Sequence, residues 1–253
     1  MNKEKAKVLN LIIPIATVGL IVAVWGVASA IIDSEFILPS ISNTLNQFFN
    51  LLLSREFYLS FFHTVLRSLI AFAVSFMLAF IFSVLRQKII ILKGVFDTFM
   101  SITRALPTIA VILLILFWTN SKVAPIIVTV LVVLPTTYTH FVNALNSLDK
   151  TVSEASRVDG ANEKSVLIKI ELPQALPSIY MAIGSGISLT FKLMVAAEVI
   201  AQTANSIGFM LNTSKVYFEI AEMTALVVAS VIFGVIVETI FNFLSKKAGS
   251  FKE

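Results

Sequence analysis

The chain has 253 residues, 57% hydrophobic and 13% charged, with no cysteine and a formal net charge of +4. Soluble domains carry about a quarter charged residues, so the composition excludes an ordinary water-soluble fold and points to a lipid bilayer. Without cysteine there are no disulfides or thiolate metal sites, and the small positive charge gives no sign of nucleic-acid binding.

In hydrocarbon every backbone N–H and C=O must be satisfied within the protein, so long apolar runs cross as helices or as closed barrels. The runs here are continuous rather than alternating, which selects helices. Six spans are expected, near Leu9–Ile32, Phe61–Leu85, Phe96–Trp118, Val123–Leu145, Pro177–Ala204 and Met223–Leu244. They make one all-α polytopic membrane domain over residues 1–253.

The first span follows the basic stretch MNKEKAK. With no small-residue cleavage site before Asp33, it reads as a retained span rather than a signal peptide. Next, LPSISNTLNQFFNLLL puts Ile41, Leu45, Phe48, Phe49 and Leu52 at i, i+4, i+7, i+8 and i+11. That stripe belongs to a helix lying either on the membrane surface or against the protein's own flank. Pro107 and Pro135 are expected to kink the third and fourth spans.

Placing the N-terminus in the cytoplasm gives the inner segments Lys3, Lys5, Lys7, Arg86, Lys88, Lys93, Lys150, Arg157, Lys164, Lys169, Lys246, Lys247 and Lys252. The outer segments hold only Arg55, Lys122 and Lys215. Thirteen against three satisfies the positive-inside rule and puts both termini in the cytoplasm.

The longest inner excursion, 148–173, reads as two short helices and a turn. Thr151 and Glu154 have capping-box spacing, so the first helix is expected to start near Thr151 and to end at Gly160, a residue that accepts left-handed backbone. Asn162 can cap a second helix with Glu163 in its first turn, which Pro173 is expected to stop. Pro177 suits the first turn of the fifth span. Helices this short are marginal in water, so good caps suit a loop that holds its shape against a partner, although an ordinary well-capped connector has the same appearance.

Glu154-Ala155-Ser156, then Gly160 after three residues, then Ile170-Glu171-Leu172-Pro173 after nine, resembles the E-A-A-x3-G-x9-I-x-L-P signature of ABC importer permeases. Ser156 in place of the second alanine is the only departure. The stretches HTVLRSLIAFAVSF, RALPTIAVILLILFW and VAAEVI are similar to the nitrate, sulfonate and taurine subfamily, which includes permeases for thiamine pyrimidine precursors. The likeness runs from about Pro39 to Lys247.

The resemblance implies a type I importer permease fold in a bacterial cytoplasmic (inner) membrane. It implies a dimer of separate ATPase subunits that bind ATP-Mg, a second permease copy making a homodimer, and an extracytoplasmic substrate-binding protein. It also implies ATPase coupling through Glu154, Ala155, Ser156, Gly160, Ile170, Leu172 and Pro173. Glu154 then either pairs with a basic ATPase residue or caps its own helix. The chain has no G-x-x-x-x-G-K-[ST], so it cannot cradle ATP phosphates itself, and it is expected to be a transport subunit without a bound cofactor or metal, not an enzyme.

Charges within spans are candidates for function. Lys192 could attract an anion or pair with a carboxylate such as Glu238. Glu198, Gln202 and Asn205, at i, i+4 and i+7, form a polar stripe facing the pathway, the dimer seam or neighbouring helices. Lys192 and Glu198 lie on different faces of their helix. Arg67 and Arg104 are expected to snorkel, and His63 and His140 to act as local hydrogen-bonding residues. Two other classes are weighed. A self-contained secondary transporter or channel usually has broken helices in matching halves, which this sequence lacks. An intramembrane hydrolase would need a base for Ser185 in "GSG", which no nearby histidine in sequence supplies.

Overall fold

The computed structural model describes residues 3–148 and 150–249, and every regular element among them is a helix. Helix α1 (Lys3–Ile32) lies almost wholly exposed along its apolar length and touches the rest of the chain through α2 (Ile41–Leu53). There Trp25 Nε1 donates to the Pro39 carbonyl at 3.0 Å. Ser40 caps α2, its hydroxyl accepting from Asn43 N–H at 3.2 Å. Part of the amphipathic stripe of α2 packs on the protein's own flank, where Phe48 and Leu52 join buried Leu51 against α3 (Arg55–Lys88) and α11 (Ile220–Gly249), while Leu45 and Phe49 stay exposed.

Helix α3 buries Ser60, Thr64, Ser68, Ala71, Ser75, Ala79 and Ser83, small residues at spacings of three and four that trace one face. Between helices in lipid, small side chains let backbones approach closely, and this face meets α6 (Ala124–Asn146) and α9 (Leu172–Ala201).

The expected third span is broken. α4 (Ile90–Ala105) and α5 (Thr108–Trp118) meet at a 96° bend. Proline lacks an N–H and drives the preceding residue to extended backbone, and Leu106 has ψ 128°. Pro135, by contrast, stays within α6. Among the described residues five helices are long and apolar enough to cross a membrane, six if the bent pair counts as one span.

The fifth span departs from expectation at both ends. α8 (Glu163–Val166), a π-helical turn (Leu167–Glu171) and α9 follow without a break, so Pro173 does not stop the second loop helix. Proline's missing N–H costs little in a first turn, and Pro173 sits in the first turn of α9. Pro177 lies inside α9, where its carbonyl accepts from Ser245 Oγ at 2.8 Å. At its far end α9 stops at Ala201, because Gln202 takes left-handed backbone at φ 49°. α10 (Ile207–Val216), capped by Ser206, then leads to α11.

Three apolar clusters hold the bundle. One, around Phe191, Ile207 and Leu226, joins α2, α3, α9, α10 and α11. A second, around Ile112 and Val128, joins α5, α6 and α9. The third, around Met100, Leu134 and Phe141, joins α3, α4 and α6.

Candidate functional site

The loop at one end of the bundle is built around Gly160. α7 (Lys150–Val158) starts one residue before Thr151, so Thr151 stands in its first turn rather than at its cap, and residue 149 lies outside the described residues. At the other end Ala161 N–H bonds the Ser156 carbonyl at 3.0 Å and Gly160 N–H bonds that of Arg157 at 3.1 Å, a Schellman closure with Gly160 at φ +85°. Asn162 Oδ1 accepts from Lys164 N–H at 3.2 Å, the cap its position predicts.

Arg157 and Glu171 form an ion pair at 3.1 Å that ties α7 to the π-turn. Glu154, Ala155, Gly160, Leu172 and Pro173 are exposed, and Ser156 and Ile170 are half-buried. Ser156 Oγ donates to the Val152 carbonyl at 2.9 Å, so serine in place of alanine leaves the helix intact. Sequence reasoning missed the apolar side chains that the loop exposes, Val158, Leu167 and Ile168, with Val158 at 87%.

Behind the loop a groove of mixed polar and apolar lining runs between α6, α9 and α11. α6 contributes Thr136, His140 and Asn143, spaced so that they share one face, and its C-cap contributes Ser147. α9 contributes Ser178, Ala182, Ser185 and Lys192, and α11 contributes Glu238 and Asn242. The groove comprises adjoining cavities of about 510 Å³ and 250 Å³ that share His140 and Ser185.

Gly184 and Gly186 shape it. A Cβ at 184 would lie 2.5 Å from Phe241 Cβ, and one at 186 would lie 2.5 Å from Phe72 Cε2. Glycine therefore lets α11 and α3 close on α9, with Ser185 left on the groove between them. Ser185 Oγ donates to the Met181 carbonyl at 2.9 Å, so its proton is committed to the backbone although His140 lines the same cavities.

Lys192 Nζ lies 4.0 Å from Glu238 Oε1, with the side chains 59% and 44% exposed. This is the pairing the sequence offered for Lys192 as the alternative to an anion site. A charge facing lipid deep in a span costs about 2.5–3.5 kcal/mol on insertion scales, so two charges exposed on the groove argue for water there.

Glu198 does not reach the groove. It is fully buried, accepting from Thr64 Oγ1 at 2.8 Å and pairing with Arg67 at 2.9 Å. Thr64 Oγ1 also accepts from Ile207 N–H at 3.0 Å. A Cβ on Gly208 would stand 2.4 Å from Glu198 Cβ, so glycine lets α10 press against this pair. Gln202 and Asn205 are exposed and both take left-handed backbone, so the three residues do not share one helical face.

Arg67 and Arg104 both find partners within the protein. Arg67 pairs with Glu198, and Arg104 bonds Thr139 Oγ1 and, at 2.9 Å, the Pro135 carbonyl. Sequence reasoning also missed Asp97, which receives a two-pronged bond from Arg86 at 3.1 and 3.2 Å and one from Tyr138 at 2.7 Å. The Arg67–Glu198 signal was available, since both residues lie toward the same ends of their spans.

An all-helical bundle whose long helices are apolar enough to cross a membrane, with a capped polar loop at one end, marks a multi-pass membrane protein. Residues 78–249 match the profile of the binding-protein-dependent transport system inner membrane component, and the chain belongs to that family, the ABC importer permeases. Such a subunit is a transport component, not itself an enzyme.

Among similar proteins are two described as putative aliphatic sulfonates transport permease protein SsuC. The Escherichia coli K12 protein is 26% identical over 85% of this chain and 81% of its own length, and that of Bacillus subtilis 168 is 21% identical over 90% and 83%. A probable ABC transporter permease of Brucella abortus 2308 is 22% identical over 86% and 87%. In fold the chain is similar to an amino acid ABC transporter solved with histidines, at TM-score 0.64 and 14% identity over 74% of this chain and 92% of that one. The inward-facing MetNI methionine ABC transporter gives 0.63 and 20% over 74% and 93%.

Proposed function

We propose that this chain forms the translocation path of an ATP-driven importer in a bacterial cytoplasmic membrane and is driven by a separate ATPase that grips the 148–173 loop. The carrying observation is mechanical: α8, the π-turn and α9 form one helical path from the loop to the groove. A push on the loop therefore moves the helix that bears Ser185 and Lys192.

Glu154, Ala155, Ser156, Gly160, Ile170, Leu172 and Pro173 shape the docking face, and exposed Val158, Leu167 and Ile168 give it apolar area to bury. Basic residues gathered at the loop end favour its cytoplasmic side. The groove is open along its length, and a second copy of the chain would close it. An extracytoplasmic binding protein delivers the solute, a small anion or organic molecule such as nitrate, a sulfonate, taurine or a thiamine pyrimidine precursor. Lys192 lies on the path, while the buried Glu198–Arg67 pair braces α9 against α3 away from it.

The test is purification of the tagged chain from its native membranes in mild detergent, with co-purifying proteins identified by mass and assayed for ATP hydrolysis. The expected result is an ATPase at one copy per permease, lost with Glu154→Arg. A six-span oligomer without ATPase that still moves solute in vesicles would favour the secondary-transporter or channel reading instead.

A further inference from the structure

We propose that Lys192 and Glu238 form the charge filter of the groove and that the solute they pass is a small zwitterion, carrying one cationic and one anionic group. This deepens the functional reading above and rests on the groove being the path.

Both members of the pair are exposed to the groove, and among the described residues no other Asp, Glu, Lys or Arg lines either cavity. The filter therefore has net charge zero with its two signs separated. A lone lysine would favour any anion. With Glu238 at 4.0 Å the attraction of Lys192 for a simple anion is largely cancelled, and so is that of Glu238 for a simple cation. A solute carrying both signs meets a complementary group at each end.

The spacing also leaves the pair available. Charge-assisted hydrogen bonds run about 2.7–2.9 Å, so at 4.0 Å neither group commits its hydrogen-bonding capacity to the other. The lysine stem runs beside Gly234, one helical turn before Glu238, with Lys192 Cε 3.6 Å from where a Cβ on Gly234 would stand. Around the pair stand small hydrogen-bonding groups, Thr136, Thr137, His140 and Ser185.

The test uses the purified permease–ATPase complex without binding protein, titrated with three probes on one two-carbon skeleton: taurine (zwitterion), ethanesulfonate (anion) and ethylammonium (cation). Ligand binding raises the unfolding midpoint according to occupancy. Taurine is expected to act at about tenfold lower concentration than either singly charged probe. Glu238→Gln should move the preference to ethanesulfonate, and Lys192→Gln should move it to ethylammonium. The charge-exchanged double variant, Lys192→Glu with Glu238→Lys, should keep taurine first, which guards against a single variant that simply folds poorly.

The proposal is overturned if ethanesulfonate matches or exceeds taurine on the unsubstituted complex. An order unchanged by Glu238→Gln, or no shift with any probe, also overturns it. Failure of the wider functional reading is distinct, because no ATPase would be present in the purified material before any probe is added.

Discussion

Gly160 and Glu198 illustrate two ways in which one residue fixes this structure. At Gly160 nothing lies within 4 Å of where a Cβ would stand, so substitution meets no clash and the cost is purely that of left-handed backbone, about 1–2 kcal/mol for an L residue. Gly160→Ala should therefore lower the unfolding midpoint slightly, and Gly160→Val, being β-branched, further, with both still inserted in the membrane. Equal midpoints for glycine and valine would mean the turn is not held as described.

At Glu198 the issue is burial. Removing one member of a buried ion pair costs about 3–5 kcal/mol, moderated here because the Arg67 side chain is 15% exposed. Glu198→Ala should destabilise the detergent-solubilised protein strongly, whereas Lys192→Met, with its partner exposed and 4.0 Å away, should hardly change stability. Thermal unfolding of the two variants checks the contrast. Gly208→Ala belongs with Glu198, because its methyl would meet Val199 N at 2.6 Å, and backbone cannot rotate away as a side chain can.

Among the elements, the caps and the break were readable and the continuity was not. Gly160 closing α7 and Asn162 opening the next helix follow from residue types that satisfy helix ends. Pro107 signalled a break, although sequence cannot give its 96° angle, which depends on how α4 and α5 pack. Pro173 misled because proline stops a helix from within but is tolerated in a first turn, and the π-turn just before it lies beyond a pattern built on 3.6 residues.

The small-residue face of α3 was legible but unread, and Arg67–Glu198, 131 positions apart, required matching depths on different helices. If the path from α8 to α9 transmits force, replacing Leu172 and Pro173 with two glycines should uncouple it. ATP hydrolysis by the bound ATPase would continue while solute uptake falls. Parallel loss of both activities would mean the segment serves docking or folding rather than transmission.

For the molecule as a whole, composition fixed the class, and the six apolar runs correspond to five helices long enough to cross and the bent α4–α5 pair. The groove was not legible, because it is assembled from faces of α6, α9 and α11 that no local pattern relates. Orientation can be tested directly, since the chain has no cysteine of its own. A single cysteine at Val158, 87% exposed, should react with a membrane-impermeant thiol reagent only from the cytoplasmic side. One at Phe218, 68% exposed, should react only from the other side, and reversed labelling would invert the topology.

The central claim is that ATP hydrolysis on a partner drives this chain through the loop closed by Gly160. Its most direct test is the hydrolysis rate of the reconstituted permease, ATPase and binding protein in vesicles, compared between the unsubstituted chain and Gly160→Val. Hydrolysis stimulated by the loaded binding protein in the first and lost in the second, with the variant still folded, is the predicted result. Equal stimulated hydrolysis in both, or solute movement with the ATPase absent, would contradict it.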